Sequence, residues 1–225
     1  MKSSIPKSAL CAEFLGSMFL VMAAISPIIL FYTVLKTSIG VALFANAIAV
    51  ALVLCALIEI FGPISGAHFN PIVTMIMLLE KKIGAAKAAL FILMQFIGGI
   101  MGTVLSHIMF FDHIGEILSI SDNIRDSYMF PAEIFGSFIL ILVILLLAKV
   151  GSAKAPIVVG FLVGGQVLST SSMMFANPQV TVARMLTSTA PGIRPMDGLV
   201  FIAMQIIGAL LAYAVYRLVF KNAIL

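Results

Sequence analysis

The chain has 225 residues, of which 62% are hydrophobic and 10% charged, with a formal net charge of +4. Soluble domains carry about 25% charged residues. This composition, with a mean hydropathy of +1.22, therefore excludes an ordinary water-soluble fold and implies an all-α polytopic membrane protein. The basic residues are scattered over separate connections, so no nucleic-acid surface is expected.

Apolar runs reaching the roughly 20 residues of a spanning helix predict helices over 9–31, 40–61, 86–110, 130–149, 155–173 and 198–219. Lys2 and Lys7 ahead of the first run imitate a signal peptide. The uncharged stretch from Phe14 to Leu35 is too long for one and more spans follow, so it reads as a retained first helix. Glu13 sits early in this span and Glu133 early in the fourth. Cys11 and Cys55 read as small buried residues rather than a disulfide or metal pair. Glu59, late in the second span, either faces a vestibule or braces a loop.

Between spans two and three lies GAHFNPIVT, with Asn70, Pro71 and Ile72; after span five lies MMFANPQVTVAR, with Asn177, Pro178 and Gln179. Pro lacks an amide donor and suits the first helical turn, and Asn is a good N-cap. Each box therefore predicts a half-helix starting abruptly at membrane depth. Irregular backbone survives there only when buried in protein or lining a cavity. Converging half-helix N-termini, each worth roughly half an elementary charge, repel cations. Both Asn side chains are read as also offering an amide donor to a passing oxygen, the alternative being that both serve only as caps. His107 and His113 read as ordinary loop or helix-end residues, and neither a metal site nor a cofactor is expected. The Met residues read mostly as core or lipid-facing filler.

The two halves repeat. AEFLGSMFL at 12–20 matches AEIFGSFIL at 132–140, FNPIVT at 69–74 matches ANPQVT at 176–181, and QFIGGIMG at 95–102 matches QIIGALLA at 205–212. Three spans per unit make the repeat inverted, approximately 8–110 and 128–220, within one channel domain over 1–225. Inverted repeats with broken helices place a site at the midplane. Lys2, Lys7, Lys81, Lys82, Lys87, Lys149, Lys154, Arg217 and Lys221 mark one face. Lys36, Arg125, Arg184 and Arg194 on the other are offset by Asp112, Glu116, Asp122, Asp126 and Asp197. The positive-inside rule then puts both termini in the cytoplasm.

The paired Asn-Pro boxes, the Ala-Glu openings and the Gln-containing third spans resemble the aquaporin, or major intrinsic protein, family over nearly the whole chain. The resemblance implies a right-handed bundle of six transmembrane helices with two re-entrant half-helices, assembled as a homotetramer with a pore in every subunit. It also implies that Glu13 and Glu133 accept bonds from the re-entrant loops. The alternative for these two is a proton relay. His68, in the S-G-x-H-x-N-P pattern, is expected to line the inner approach in preference to simple packing. The family's four filter positions fall by motif spacing on Val50, Gly165, Met174 and Val180.

Most family members carry Arg where this chain has Val180, and the boxes end in Ile72 and Gln179 where Ala is usual in the first. A filter without aromatic, His or Arg is wide and apolar. It resembles a bacterial arsenic-resistance-associated branch in which Val replaces the filter Arg. Arg184 lies seven residues after Asn177, nearly two helical turns. It either makes a positive outer vestibule or serves as a dipole partner or interfacial anchor, the second being preferred.

The expected function is passive passage of small uncharged solutes through a multi-pass protein of the inner (plasma) membrane: water, glycerol-like molecules and neutral metalloids such as arsenite and methylated arsenicals. A plain water and polyol channel is the simpler alternative. A secondary transporter would need ion-coupling residues, with Glu59 the candidate, and a non-conducting structural role would favour large filter residues. No nucleophile-base pair or phosphate loop suggests an enzyme.

Overall fold

The computed structural model describes residues 5–223, so Lys2 lies outside the described residues. The elements are α1 (Lys7–Ile28), α2 (Ile39–Ser65), α3 (Pro71–Leu79), α4 (Ala85–Met109), α5 (Phe111–Ile114), α6 (Phe130–Val150), α7 (Ala155–Ser169), α8 (Pro178–Met185) and α9 (Pro195–Val215). Single π-helical turns prolong α1 over Ile29–Val34 and α9 over Tyr216–Phe220.

Among the described residues, 5 helices are long and apolar enough to cross a membrane: α1, α2, α4, α6 and α9. The expectation of a sixth full-length helix over 155–173 is corrected at α7. It has 15 residues, about 22 Å at 1.5 Å per residue, against a hydrocarbon core of about 30 Å. Beyond Ser169 the backbone leaves the helix. Met173, Met174 and Ala176 take φ of 62°, 40° and 42°, and the chain turns back into the bundle towards α8.

α1 packs on α2 and α4, and α6 on α7 and α9; contact between α2 and α7 joins the halves. Each half-helix, α3 and α8, lies against both α4 and α9. Two glycines at equivalent repeat positions permit the closest crossings. A Cβ at Gly98 of α4 would run into the Phe14 carbonyl oxygen, and one at Gly208 of α9 into that of Ile134. Small residues allow such backbone approach between membrane helices.

Pro27 lies inside α1. Having no amide, it leaves the Ala23 carbonyl without its helical donor. Asn46 Nδ2 of α2 supplies one at 3.0 Å and also reaches the Ala24 carbonyl at 3.1 Å. At the end of α6, Lys149 Nζ donates to the Phe220 and Ala223 carbonyls beyond α9.

The expectation that both cysteines are buried is corrected. Cys11 is exposed and Cys55 partly exposed, and both are free. Ala9 and Glu13, four residues apart, face inward, so Cys11 midway between them falls on the opposite side of α1.

Candidate functional site

Two buried carboxylates hold the re-entrant loops. Glu13 accepts hydrogen bonds from Ser65 Oγ at 2.6 Å, His68 N at 3.0 Å, Phe69 N at 2.8 Å and Gln95 Nε2 at 2.7 Å. Glu133 accepts from Phe175 N at 3.0 Å, Ala176 N at 2.8 Å and Gln205 Nε2 at 2.6 Å. The same glutamines donate to Thr74 and Thr181 Oγ1 at 2.9 and 3.0 Å, and these hydroxyls donate to the Asn70 and Asn177 carbonyls. A buried carboxylate is tolerated when so bonded. The bonds also hold Phe69 and Ala176 at φ of 46° and 42°, a left-handed conformation uncommon for residues with a Cβ.

The half-helices meet through their caps. Asn70 Oδ1 accepts from Ile72 N at 3.0 Å, and Asn177 Oδ1 from Gln179 N at 3.2 Å. Each side chain also crosses to the other loop: Asn70 Nδ2 donates to the Ala176 carbonyl at 2.8 Å, and Asn177 Nδ2 to the Phe69 carbonyl at 2.9 Å. Pro71 and Pro178 open their helices at the first position. An Asn amide has two hydrogens, so one per side chain remains for a solute. Two positive helix ends therefore face one another beside two free donors.

A cavity of about 540 Å³ passes these caps. Lys82, Lys87 and Ser152 line it, as do Asn70 and Asn177 of the two caps, and Ala24, Asn46, Val167 and Arg184. Val50, Met174, Val180 and His68 line it as well. His68 Nδ1 lies 3.0 Å from Thr74 Oγ1, and its ring meets Phe91 edge-on at 5.4 Å. Val73 and Met77 of α3, the counterparts of Val180 and Arg184, also line the wall. The repeat alignment carried this signal, because positions three and seven after each Asn share one helical face.

Several expected positions lie elsewhere. Gly165 is exposed and does not line the cavity; a Cβ there would meet nothing within 4 Å. On α7 the wall is made by Ala155, Val159, Val163 and Val167. Gly165, two residues from each of the last two, shares the exposed outer face with Phe161 and Leu168. Ile72 packs in an apolar cluster with Ile76 and Ile141, and Gln179 Nε2 donates to the Phe69 carbonyl at 3.2 Å. Neither side chain lines the cavity.

Glu59 is exposed on α2 and off the cavity wall, so it neither faces the vestibule nor braces a loop. Arg184 is no interfacial anchor: it is 4% exposed, lines the cavity and donates from Nη2 to the Ala24 carbonyl at 2.7 Å. His107 is buried, with Nε2 2.7 Å from Thr187 Oγ1; His113 is exposed on α5.

The sequence profile described as Major intrinsic protein matches residues 1–176. Aquaglyceroporin AqpS of Rhizobium meliloti (strain 1021) is 34% identical over 215 residues, covering 94% of this chain and 90% of that protein. Probable aquaporin AqpM of Archaeoglobus fulgidus is 28% identical over 194 residues, covering 80% of this chain and 77% of its own. The X-ray structure of the aquaglyceroporin from Plasmodium falciparum shares the fold, with a TM-score of 0.68 at 19% identity over 94% of this chain and 96% of that one. With its paired Asn caps, mirrored carboxylate braces and continuous central cavity, the chain belongs to the major intrinsic protein family of membrane channels and is not an enzyme.

Proposed function

We propose that the protein is a passive channel for small uncharged solutes: water, glycerol-like molecules and neutral metalloid hydroxides, including arsenite and methylated arsenicals. The observation that carries this reading is the cavity running past two converging half-helix ends, each with a spare amide donor. Its wall between the caps and the far end is apolar at Val50, Met174 and Val180. Such a wall offers few donors, so weakly hydrated solutes lose least on crossing it. The names of the aquaglyceroporin and aquaporin relatives fit this solute class. No carboxylate among the described residues lines the cavity for ion coupling: Glu13 and Glu133 are engaged by loop amides, and Glu59 is off the wall.

In this reading residues 1–225 act as one channel domain, four copies assemble as a homotetramer in the inner (plasma) membrane, and both termini are cytoplasmic. The test is stopped-flow light scattering on proteoliposomes with water, glycerol and arsenite. Gradients of all three should relax without any ion gradient, and uptake that requires a proton or sodium gradient would overturn the channel. Val180→Arg should lower uptake of a methylated arsenical relative to water by at least about tenfold, equivalent to about 1.4 kcal/mol. An unchanged ratio in a correctly assembled protein would remove Val180 from the filter and the arsenical from the solute list.

A further inference from the structure

We propose that Arg184 is the outer selectivity residue of this channel. From the last turn of α8 it supplies the fixed positive charge and the hydrogen-bond donors that position 180 lacks. The solutes it favours are small molecules rich in oxygen acceptors. This rests on the channel reading.

The half-helices set the register of the wall. Val73 and Val180 stand three residues after their Asn caps, Met77 and Arg184 seven, and all four line the cavity. The inverted repeat thus puts a thioether at one end and a guanidinium at the other. Among the described residues, none from the connections 110–129 and 186–194 lines the cavity. Arg184 therefore belongs to the outermost part of the wall.

The guanidinium is also seated and unneutralised. Nη2 donates to the Ala24 carbonyl at 2.7 Å, beside the α1 carbonyl that Pro27 leaves without its helical donor. Cζ lies 4.3 Å from the centre of the Phe175 ring, a favourable cation–π distance, and Phe175 is itself held by Glu133. No carboxylate among the described residues pairs with Arg184 within 4.0 Å. Its Nε and Nη1 are buried without a hydrogen-bond partner. Donors left buried and unpaired are costly; Nη2, which has a second hydrogen beyond the one given to Ala24, is the donor that Arg184 offers to a passing solute oxygen. Arg125, 5.9 Å from the same ring, adds to the positive potential. A fixed donor-bearing cation at the outermost part of a low-dielectric pore repels cations and retains acceptor-rich solutes.

The experiment compares wild type, Arg184→Met and Arg184→Lys in proteoliposomes at matched protein density. The readouts are water flux, glycerol flux and potassium leak. Arg184→Met copies Met77 at the opposite end. It should raise potassium leak and lower the glycerol-to-water ratio, each by at least about tenfold, or about 1.4 kcal/mol. Arg184→Lys keeps a charge but not the planar fork, so it should exclude potassium like wild type while still lowering the ratio. If Arg184→Met leaves both readouts at wild-type values, Arg184 is only a clamp between α8 and α1, and the proposal falls. Should Arg184→Met fail to assemble, an unchanged glycerol-to-water ratio in Arg184→Lys overturns it equally. A wild-type protein that passes neither water nor glycerol refutes the channel reading, and this proposal with it.

Discussion

Single side chains set the midplane. Glu13 and Glu133 each accept two backbone amides from a re-entrant loop and one glutamine amide. Glu13→Gln or Glu133→Gln would turn a donor towards one of those amides and leave a buried N–H unmatched, costing about 1–3 kcal/mol. Both variants should melt at lower temperature, by similar amounts. Circular dichroism in detergent would follow this, since the chain has no Trp; an unchanged midpoint would deny the bracing. Asn177→Asp keeps an oxygen for the Gln179 amide but loses the donor to the Phe69 carbonyl. It also places a negative charge at two positive helix ends. Lower solute flux together with a new potassium leak is expected in the same proteoliposome assay.

At the scale of elements, the close crossings of α4 on α1 and of α9 on α6 depend on Gly98 and Gly208. Gly98→Ala and Gly208→Ala should each destabilise by about 1–3 kcal/mol through overpacking. Gly165→Ala on the open face of α7 is the control. With nothing for its methyl to meet, it should be neutral or gain up to about 1 kcal/mol of helix propensity. Thermal midpoints of the three variants decide the matter.

A second contact ties α3 to the end of α9. The Glu80 carboxylate, 8% exposed, accepts from Arg217 at 3.1 Å and lies 3.5 Å from Lys221 Nζ. Burial alone would raise its pKa, but hydrogen bonds from Arg217 and Tyr213 and the charge of Lys221 bring it below the ordinary 4.5. A carboxyl with a depressed folded pKa binds its proton more readily when unfolded. Its contribution is present above pH 4.5 and is lost as pH falls through the lower folded value. Wild type should therefore lose more thermal stability than Glu80→Gln between about pH 6 and about pH 3; parallel curves would contradict the assignment.

For the whole molecule, no carboxylate among the described residues lines the cavity, so neither half of the repeat presents a coupling group to it. Outward and inward glycerol gradients should relax at the same rate, and a proton ionophore should change neither. A rate difference that the ionophore abolishes would identify coupling.

The membrane class, the two half-helices and the pairing of Glu13 with Glu133 were legible in the chain itself. Apolar run length, Pro at a first helical turn and an internal repeat are local or linear signals. The register of α8 was legible too, because helical phase holds from Asn177 to Arg184. The orientation of Gly165 was not. Counting back from Asn177 passes through 170–176, where left-handed residues break the phase, so linear spacing no longer reports which face a residue occupies. The length of α7 was hidden for the same reason, since an apolar run does not reveal where the backbone leaves the helix. Only the tertiary structure decided that Arg184 turns inward. That outcome depends on the Ala24 carbonyl of α1 and the ring of Phe175, partners that packing supplies.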